Sequence, residues 1–216
     1  MVKKEKTNPW FIFPILLFTL WSIGIYRWTG DFTSFTTYSY TLWAAGELPR
    51  ELPAFKLTDH NGDPVDFSQW KGKYVLLDFM YLQCSSICGI LRSRLIDYYD
   101  RLSEFIPDKL VFLSVSFDPE RDSVEILQEA WRSSGENPGW VFAVFTQSSP
   151  PAENSTSDWQ TQLEEFGVVV LRNNLGDFNH TAYHYLLRPD GMLSVVIDPS
   201  EGYEKNLQEI EKILGE

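Results

Sequence analysis

Residues 74–89, YVLLDFMYLQCSSICG, decide the fold and contain both cysteines of the chain. A run of apolar and β-favouring residues leads into a short polar turn, and the second cysteine opens a stretch with helical spacing. Cys84 and Cys88 are therefore predicted to lie where a buried strand is followed by a helix, the position at which α/β sheets carry their functional groups. Residues four apart on a helix have Cβ atoms roughly 5–6 Å apart, close enough for the two thiols to bind one soft metal ion or to form a disulfide. The spacing alone does not choose between these.

The two cysteines have two further interpretations that the sequence disfavours. A structural disulfide would close a loop of only three residues and would restrain little of the unfolded chain, and a domain of this size folds without one. Two small buried hydrophobic residues are the other interpretation, but the intervening Ser-Ser-Ile has the composition of an exposed turn. Position and spacing favour functional thiols.

The N-terminus contains a long uncharged segment. No charged residue lies between Thr7 and Tyr26, whereas three lysines lie in the first six residues. At about 1.5 Å per helical residue the segment is long enough to cross most of a ~30 Å hydrocarbon layer. The positive-inside rule then predicts a cytoplasmic N-terminus at residues 1–8, a transmembrane anchor at 9–28 and an exported remainder.

Two targeting signals are alternatives to an anchor. A cleaved signal peptide has the same charge asymmetry, but this apolar run exceeds the usual 7–15 residues and no small-x-small cleavage site directly follows it. A mitochondrial presequence fits less well, because the first residues are neither Arg-rich, Ser-rich nor amphipathic. The simplest interpretation is a single-pass protein of a bacterial inner membrane with its C-terminal domain in the periplasm.

The chain is acidic, with a formal net charge of −12. Four of its basic residues lie in the first 30 residues, which contain one acidic residue, so the predicted exported part is more acidic still. Such a charge argues against nucleic acid as a partner. It fits a solvated surface or a surface that meets a basic patch on another protein.

Strand-like and helix-like segments alternate after a predicted linker at residues 29–50. The predicted strands are 52–57, 65–67, 74–80, 110–117, 140–145, 168–171, 183–187 and 193–197, and the predicted helices are 88–105, 122–133, 157–166 and 203–214. This order predicts an α/β protein with a final antiparallel pair of strands. It is the thioredoxin-like fold with an N-terminal β-hairpin, formed by residues 51–216 and preceded by one transmembrane helix.

Four ordered motifs carry a family resemblance. They are FKLTDHNGDPVDF at 55–67, KGKYVLLDFMYLQCSSIC at 71–88, SVSFDPERDS at 114–123 and HTAYHYLLRPDG at 180–191. Together they resemble the successive signatures of the Sco/SenC family, thioredoxin-fold copper proteins implicated in assembling the copper centre of cytochrome c oxidase. The resemblance covers about residue 52 to the C-terminus.

The resemblance implies a copper site. In that family two cysteines and a distant histidine bind copper, and the matching positions are Cys84, Cys88 and His180. Two thiolates and one imidazole suit Cu(I), and Cu(II) also binds to this set when an additional oxygen or nitrogen ligand is present. The implied partners are the copper-site subunit of cytochrome c oxidase and a thiol reductant or another copper chaperone.

The chain has two other histidines, which serve as comparisons. His60 lies in a predicted hairpin turn and is expected to face solvent. His184 is expected to share a strand face with His180, but the match to H-T-x-x-x-Y-L-x-x-P-D-G favours His180 as the ligand.

Two aspartates follow the strand at 110–117, at the same sheet edge as the cysteines. Asp122 begins an Asp-Ser-Val-Glu capping box and is predicted to cap the next helix. Asp118 resembles the family aspartate near the metal loop, where a carboxylate orients His180 or acts as a weak outer ligand.

The sequence departs from the family pattern at two places. Family members commonly have C-P-x-x-C-P, whereas Ser85 and Gly89 replace the prolines here, which leaves the rigidity of the loop and the copper affinity open. The second departure is Asp78, in a predicted buried strand six residues before Cys84, where thioredoxins carry a buried aspartate. A carboxyl there has a raised pKa and could transfer a proton as the base for Cys88; alternatively it is hydrogen-bonded to a neighbouring strand.

The sequence thus favours a copper chaperone with Cys84, Cys88 and His180 as ligands. The alternative is a thiol:disulfide reductase that uses Cys84 as nucleophile and Cys88 as resolving thiol to maintain the cysteines of the oxidase. A thiol peroxidase is disfavoured, because residues 80–83 lack the Pro-x-x-x-Thr/Ser turn that commonly precedes a peroxidatic cysteine.

Overall fold

The computed structural model describes residues 10, 12–30, 32, 34–53, 55–83, 88–146, 158–174 and 177–215. The helices in this part of the chain are α1 (Ile12–Trp28), α2 (Thr37–Ala44), α3 (Cys88–Arg101), α4 (Val124–Ser133), α5 (Asp158–Phe166) and α6 (Tyr203–Gly215). The strands are β1 (Leu57–Asp59), β2 (Pro64–Val65), β3 (Tyr74–Met80), β4 (Leu110–Ser116), β5 (Trp140–Phe145), β6 (Val170–Arg172), β7 (Phe178–His180), β8 (His184–Leu187) and β9 (Leu193–Ile197).

Seven of these strands form one sheet in the order β2-β1-β5-β4-β3-β8-β9. Strands β3, β4 and β5 are parallel, and the hairpin of β8 and β9 joins antiparallel to β3. The N-terminal hairpin of β1 and β2 lies at the opposite edge, antiparallel to β5. The predicted α/β fold with an N-terminal hairpin is therefore confirmed.

The central strands are apolar on both faces because both faces of the sheet are covered. All seven residues of β4 are buried, as expected of a parallel strand between two helical layers. In β3, Leu77 faces a core that includes Phe166 of α5, whereas Leu76 faces a core that includes Leu95 of α3 and Leu207 of α6. Asp78 is an even-numbered residue of β3 and so shares the α3 face with Leu76.

Several predicted boundaries were wrong. The predicted linker contains α2, which begins with a reciprocal capping box of Thr36 and Ser39 but has no helical hydrophobic periodicity. The first strand covers Leu57–Asp59 rather than residues 52–57. Strand β7 was not predicted, because three residues are too few for an alternating pattern.

The apolar N-terminal segment forms α1, a helix of 17 residues with no buried side chain. No helix within the described residues reaches the length and apolarity that a membrane crossing requires. The predicted cytoplasmic residues 1–8 lie outside the described part of the chain.

Candidate metal centre

The candidate site lies at the end of β3, where the sequence places the cysteine turn. Strand β3 ends at Met80, Tyr81 is buried directly after it, and α3 begins at Cys88. Cys84 lies outside the described residues, and of Cys88 the structure gives only its place as the first residue of α3. The geometry of the two thiols therefore stays a prediction, and the surrounding residues define the site.

Tyr81 joins this edge of the sheet to the small hairpin of β6 and β7. Its hydroxyl lies 3.4 Å from both the backbone N–H and the carbonyl of Phe178, and the two rings pack with centroids 5.3 Å apart. The His180 ring lies 6.1 Å from the Tyr81 ring and 4.9 Å from that of Phe117, which follows β4. His180 is thus held at the edge where β3 and β4 end, beside the segment that leads to Cys84.

The environment of His180 favours a neutral imidazole suited to bind metal. Its Nδ1 lies 2.9 Å from the carbonyl oxygen of Thr181, an acceptor that requires the proton on Nδ1 and leaves the lone pair on Nε2. Burial lowers the pKa of His180. A backbone carbonyl that fixes the tautomer in this way is typical of metal-binding histidines.

The other two histidines differ from the expectation. His60 is buried rather than solvent-facing: its ring stacks on Trp131 at 4.7 Å and lies 3.3 Å from the backbone of Phe142. His184 does not share a strand with His180, because it begins β8 of the large sheet whereas His180 ends β7 of the small one. The three residues between them change sheets, which a two-residue periodicity cannot anticipate.

Asp118 is linked to the surroundings of His180 through Arg121. It is 2% exposed, and its carboxylate forms an ion pair with Arg121. The Arg121 guanidinium lies 5.7 Å from the ring centroid of Tyr81 and 5.3 Å from that of Phe178. Asp118 thus orients a cation against the aromatic residues that pack around His180, a role that sequence reasoning did not assign to Arg121.

Asp122 does not cap α4, contrary to the prediction. The N-cap is Ser123, whose hydroxyl donates to Glu125 at 2.7 Å. Asp122 is fully buried, and its Oδ2 accepts hydrogen bonds from the Leu82 N–H at 2.9 Å and from the Ser116 hydroxyl at 2.6 Å. It therefore ties the segment between β4 and α4 to the start of the cysteine turn, and no signal in the sequence distinguishes this role from a cap.

Asp78 combines both of the properties considered for it. It is 7% exposed, and its Oδ1 accepts a hydrogen bond from Ser114 on β4 at 2.5 Å. The Ser114 hydroxyl in turn accepts from the Trp140 indole at 3.0 Å. Burial raises the pKa of Asp78 to about 7, although the Ser114 hydrogen bond and the charge of Arg92 oppose the shift.

The donor set fits a soft metal ion only if both cysteines take part. Among the side chains that the structure describes, no group of three or more histidine, cysteine, aspartate or glutamate residues is arranged to hold a metal. His180 is a candidate nitrogen ligand at the sheet edge where β3 ends, and two thiolates would complete a three-coordinate set of the kind that Cu(I) accepts.

Comparisons with known proteins agree on one family. A sequence model described as SCO1/SenC matches residues 45–215. Protein SCO2, mitochondrial, of Saccharomyces cerevisiae is 36% identical over 161 residues, which are 73% of this chain and 52% of that protein. The chain thus spans about half the length of this curated relative.

Solved structures show the same fold at lower identity. Arabidopsis thaliana ScoI with copper bound is 19% identical, with a TM-score of 0.61 over 73% of this chain and 94% of that chain. BsSco, described as a member of the Sco family of cytochrome c oxidase assembly proteins in which a disulfide switch was identified, is 21% identical, with a TM-score of 0.59 over 79% of this chain and 96% of that chain. Since the family model covers most of the chain and the described fold agrees with it, this protein belongs to the SCO1/SenC family.

Proposed function

We propose that this protein is a membrane-anchored copper chaperone that assists assembly of the copper centre of cytochrome c oxidase. Cys84 and Cys88 supply two thiolates and His180 supplies the imidazole. The observation that carries the proposal is the position of His180, neutral and fixed in tautomer, on the sheet edge from which the cysteine turn emerges. Family membership and the copper in the structures of similar proteins support the choice of metal.

The chemistry suits metal transfer rather than permanent storage. Three ligands leave a Cu(I) ion accessible to an incoming thiolate from a partner, so the ion can pass on by ligand exchange. The proposed recipient is the copper-site subunit of the oxidase, and a thiol reductant or another copper chaperone acts before it. In this proposal the Asp118–Arg121 ion pair supports the aromatic residues that pack around His180, and neither residue is a metal ligand.

Copper titration of the reduced full-length chain tests this function. One equivalent of Cu(I) should bind in competition with a chromophoric chelator, and Cys84→Ser, Cys88→Ser or His180→Ala should each weaken binding by at least about tenfold. His60→Gln is the matched control, because His60 lies in the turn between β1 and β2, where it stacks on Trp131. If His180→Ala binds Cu(I) with unchanged affinity, His180 is not a ligand of the metal.

Thiol:disulfide exchange is a second candidate, favoured by Asp78. A buried carboxyl with a pKa of about 7, six residues before Cys84, suits a base for the resolving thiol. Exchange requires both cysteines but not the imidazole. In an assay with a small disulfide substrate, His180→Ala should keep the rate whereas Cys84→Ser should abolish it; equal loss in both would argue against exchange as an independent activity.

The proposed location is the bacterial inner membrane, with the C-terminal domain in the periplasm. It is supported by the uncharged run from Thr7 to Tyr26 and by the lysines that precede it. A C-terminal alkaline phosphatase fusion should be active and should remain in the membrane fraction after carbonate washing. An inactive fusion, or release of the protein from the membrane, would contradict this location.

A further inference from the structure

The segment that joins α1 to the sheet carries exposed aromatic side chains that the proposed copper chemistry does not use. Residues 32–46 contain no charged residue, although charged residues make up 22% of the chain. Phe35 is 68% exposed and Trp43 is 48% exposed. The exposed aromatic residues from the end of α1 to α2 are termed the aromatic junction and comprise Tyr26, Trp28, Phe32, Phe35, Tyr40 and Trp43. An exposed apolar surface of this kind marks a contact with a partner or with a lipid layer.

Contacts across the turn after α1 hold α2 against the end of that helix. The Ser34 N–H donates to the Thr29 carbonyl at 2.8 Å. The Trp43 indole covers Gly30 so closely that a Cβ at Gly30 would lie 2.5 Å from the indole nitrogen. The Tyr40 and Trp43 rings lie 5.7 Å apart. The aromatic junction is therefore a packed turn between two helices.

The opposite side of α2 is attached to the globular domain. Gly167, which follows α5, lies against the backbone of Leu42. Arg50, which follows α2, donates to the carbonyl of Phe166 at 2.7 Å, and its backbone pairs with that of Leu193 in β9. The predicted linker is thus fixed at both ends, to α1 by the turn and to the domain by Arg50.

This attachment places α2 beside the hairpin that carries His180. A groove of about 510 Å³ lies between α2 and the segment from α5 to β6, and its lining includes Thr41, Val169 and Leu171. Val170, between the last two, pairs with His180. A surface that holds α2 therefore also holds the candidate ligand at a set distance from that surface.

The headgroup layer of a membrane fits the aromatic junction. Tryptophan and tyrosine are enriched where a bilayer meets water, because each has an apolar ring and a polar group that forms hydrogen bonds. The 17 residues of α1 span about 25 Å, slightly less than the ~30 Å of a hydrocarbon layer. Residues directly after a membrane-inserted α1 therefore lie at the headgroup level. Because residues 32–46 carry no charge, burial of the rings, and not attraction to anionic lipids, drives the contact.

We propose that the aromatic junction lies in the headgroup layer of the membrane that α1 enters and holds the copper-binding domain at the membrane surface. The proposal rests on the proposed function and its membrane location, and it deepens them. The predicted linker is then a fixed, lipid-contacting element and not a flexible tether. The hairpin of His180 is kept near the bilayer surface as a consequence.

Photo-cross-linking of the purified full-length chain in phospholipid vesicles tests the proposal. The photoreactive residue p-benzoylphenylalanine is placed at one position at a time: Phe35 or Tyr40 in the aromatic junction, Phe18 within α1, or Ile126 on α4. Ile126 is the matched control, because its exposure of 41% equals that of Tyr40, at 43%, within a few per cent. All four side chains are exposed, so the replacements should leave the fold intact. After irradiation, the intact mass should show a one-lipid adduct at Phe18, Phe35 and Tyr40 and none at Ile126.

The position in α1 separates this proposal from the proposed location. A lipid adduct at Phe18 with none at Phe35 and Tyr40 would leave the anchor in place and overturn the proposal. No lipid adduct at any position would contradict both. A cross-linked dimer in place of a lipid adduct at Phe35 and Tyr40 would show that the aromatic junction meets a second copy of the chain, and would also overturn the proposal.

Lipid composition tests the physical basis of the contact. The yields of lipid adduct at Phe35 and Tyr40 should be the same in vesicles of phosphatidylcholine alone and in vesicles that also contain phosphatidylglycerol, at low and at high salt. Adducts that form only with the anionic lipid at low salt would contradict a contact driven by the rings. Since no copper is present in these experiments, failure of copper binding leaves their results readable.

Discussion

The two buried residues Asp78 and His184 make opposite contributions to the pH dependence of stability. Asp78 has a pKa of about 7 in the folded protein, against an ordinary pKa of 3.8, so its contribution is present below about pH 4 and is lost as the pH rises to 7. His184 has a folded pKa of about 4 against 6.5, so its contribution is present above pH 6.5 and is lost as the pH falls to 4. Each slope is about 1.4 kcal/mol per pH unit, and the two cancel between pH 4 and 6.5.

Single substitutions should reveal the two slopes. Relative to wild type, the free energy of unfolding of Asp78→Asn should rise from pH 4 to 7, and that of His184→Leu should fall from pH 4 to 6.5, each by up to about 1.4 kcal/mol per pH unit. Urea unfolding at half-unit pH steps measures both, with Glu209→Gln as the control for an exposed carboxyl. Parallel curves for all four proteins would contradict the assignment of these pKa shifts.

Asp122 makes a second prediction at the scale of the single residue. Asp122→Ala leaves the Leu82 N–H and the Ser116 hydroxyl without their acceptor, which should cost about 2–4 kcal/mol in the free energy of unfolding. Asp122→Asn keeps one acceptor oxygen and should cost less than half as much. Chemical denaturation of the two variants compares them, and equal losses would show that the hydrogen bond to Leu82 is not what stabilises this region.

The sequence identified candidate residues better than it identified their neighbours. Asp78 could be predicted because a charge in an apolar strand is conspicuous, and its burial is observed. The sequence assigned no role to Arg121 and a wrong one to Asp122, because both contact residues 40 or more positions away. It misplaced His184, because the chain changes sheets between His180 and His184. Periodicity reports only which face a residue occupies within one element.

At the scale of elements, the hairpin of β6 and β7 positions the candidate ligand His180. It is a two-stranded sheet separate from the large one, with His180 paired to Val170. Its attachment to the edge of the large sheet includes the packing of Phe178 on Tyr81 and Phe117. The longer strands and helices were predicted from sequence, but this short hairpin was not, and it decides where the imidazole lies.

A conservative pair of core substitutions tests this attachment. Phe178→Leu and Phe145→Leu each trim a buried ring and should each cost roughly 1–2 kcal/mol in stability. Only Phe178→Leu should also lower the Cu(I) affinity, by about three- to tenfold, because Phe145 lies in β5 and contacts Phe55, Phe79 and Trp159 rather than the hairpin of His180. Equal effects on copper affinity would indicate that the hairpin does not position the ligand. The Cu(I) affinities of the two variants are compared by competition titration at a temperature where both are folded.

At the scale of the whole molecule, the fold delivers groups from four separate segments to one sheet edge. Strand β3 leads to the cysteine turn, β4 leads to Asp118 and Asp122, β7 ends at His180, and β8 begins at His184. Parallel strands bring their carboxyl ends to one edge, so the first two could be predicted from the alternation of strands and helices. His180 lies in the connection between α5 and β8, and His184 directly follows this connection. No hydrophobic periodicity predicts the course of the chain there.

The most direct test of the central claim is X-ray absorption at the copper edge of the full-length chain loaded with one equivalent of Cu(I). The predicted result is a three-coordinate ion with two sulfur ligands and one imidazole nitrogen, and loss of the imidazole signal in His180→Ala while it persists in His184→Gln. A copper ion with sulfur ligands alone in the wild-type chain, or an imidazole signal that survives in His180→Ala, would contradict the proposed site.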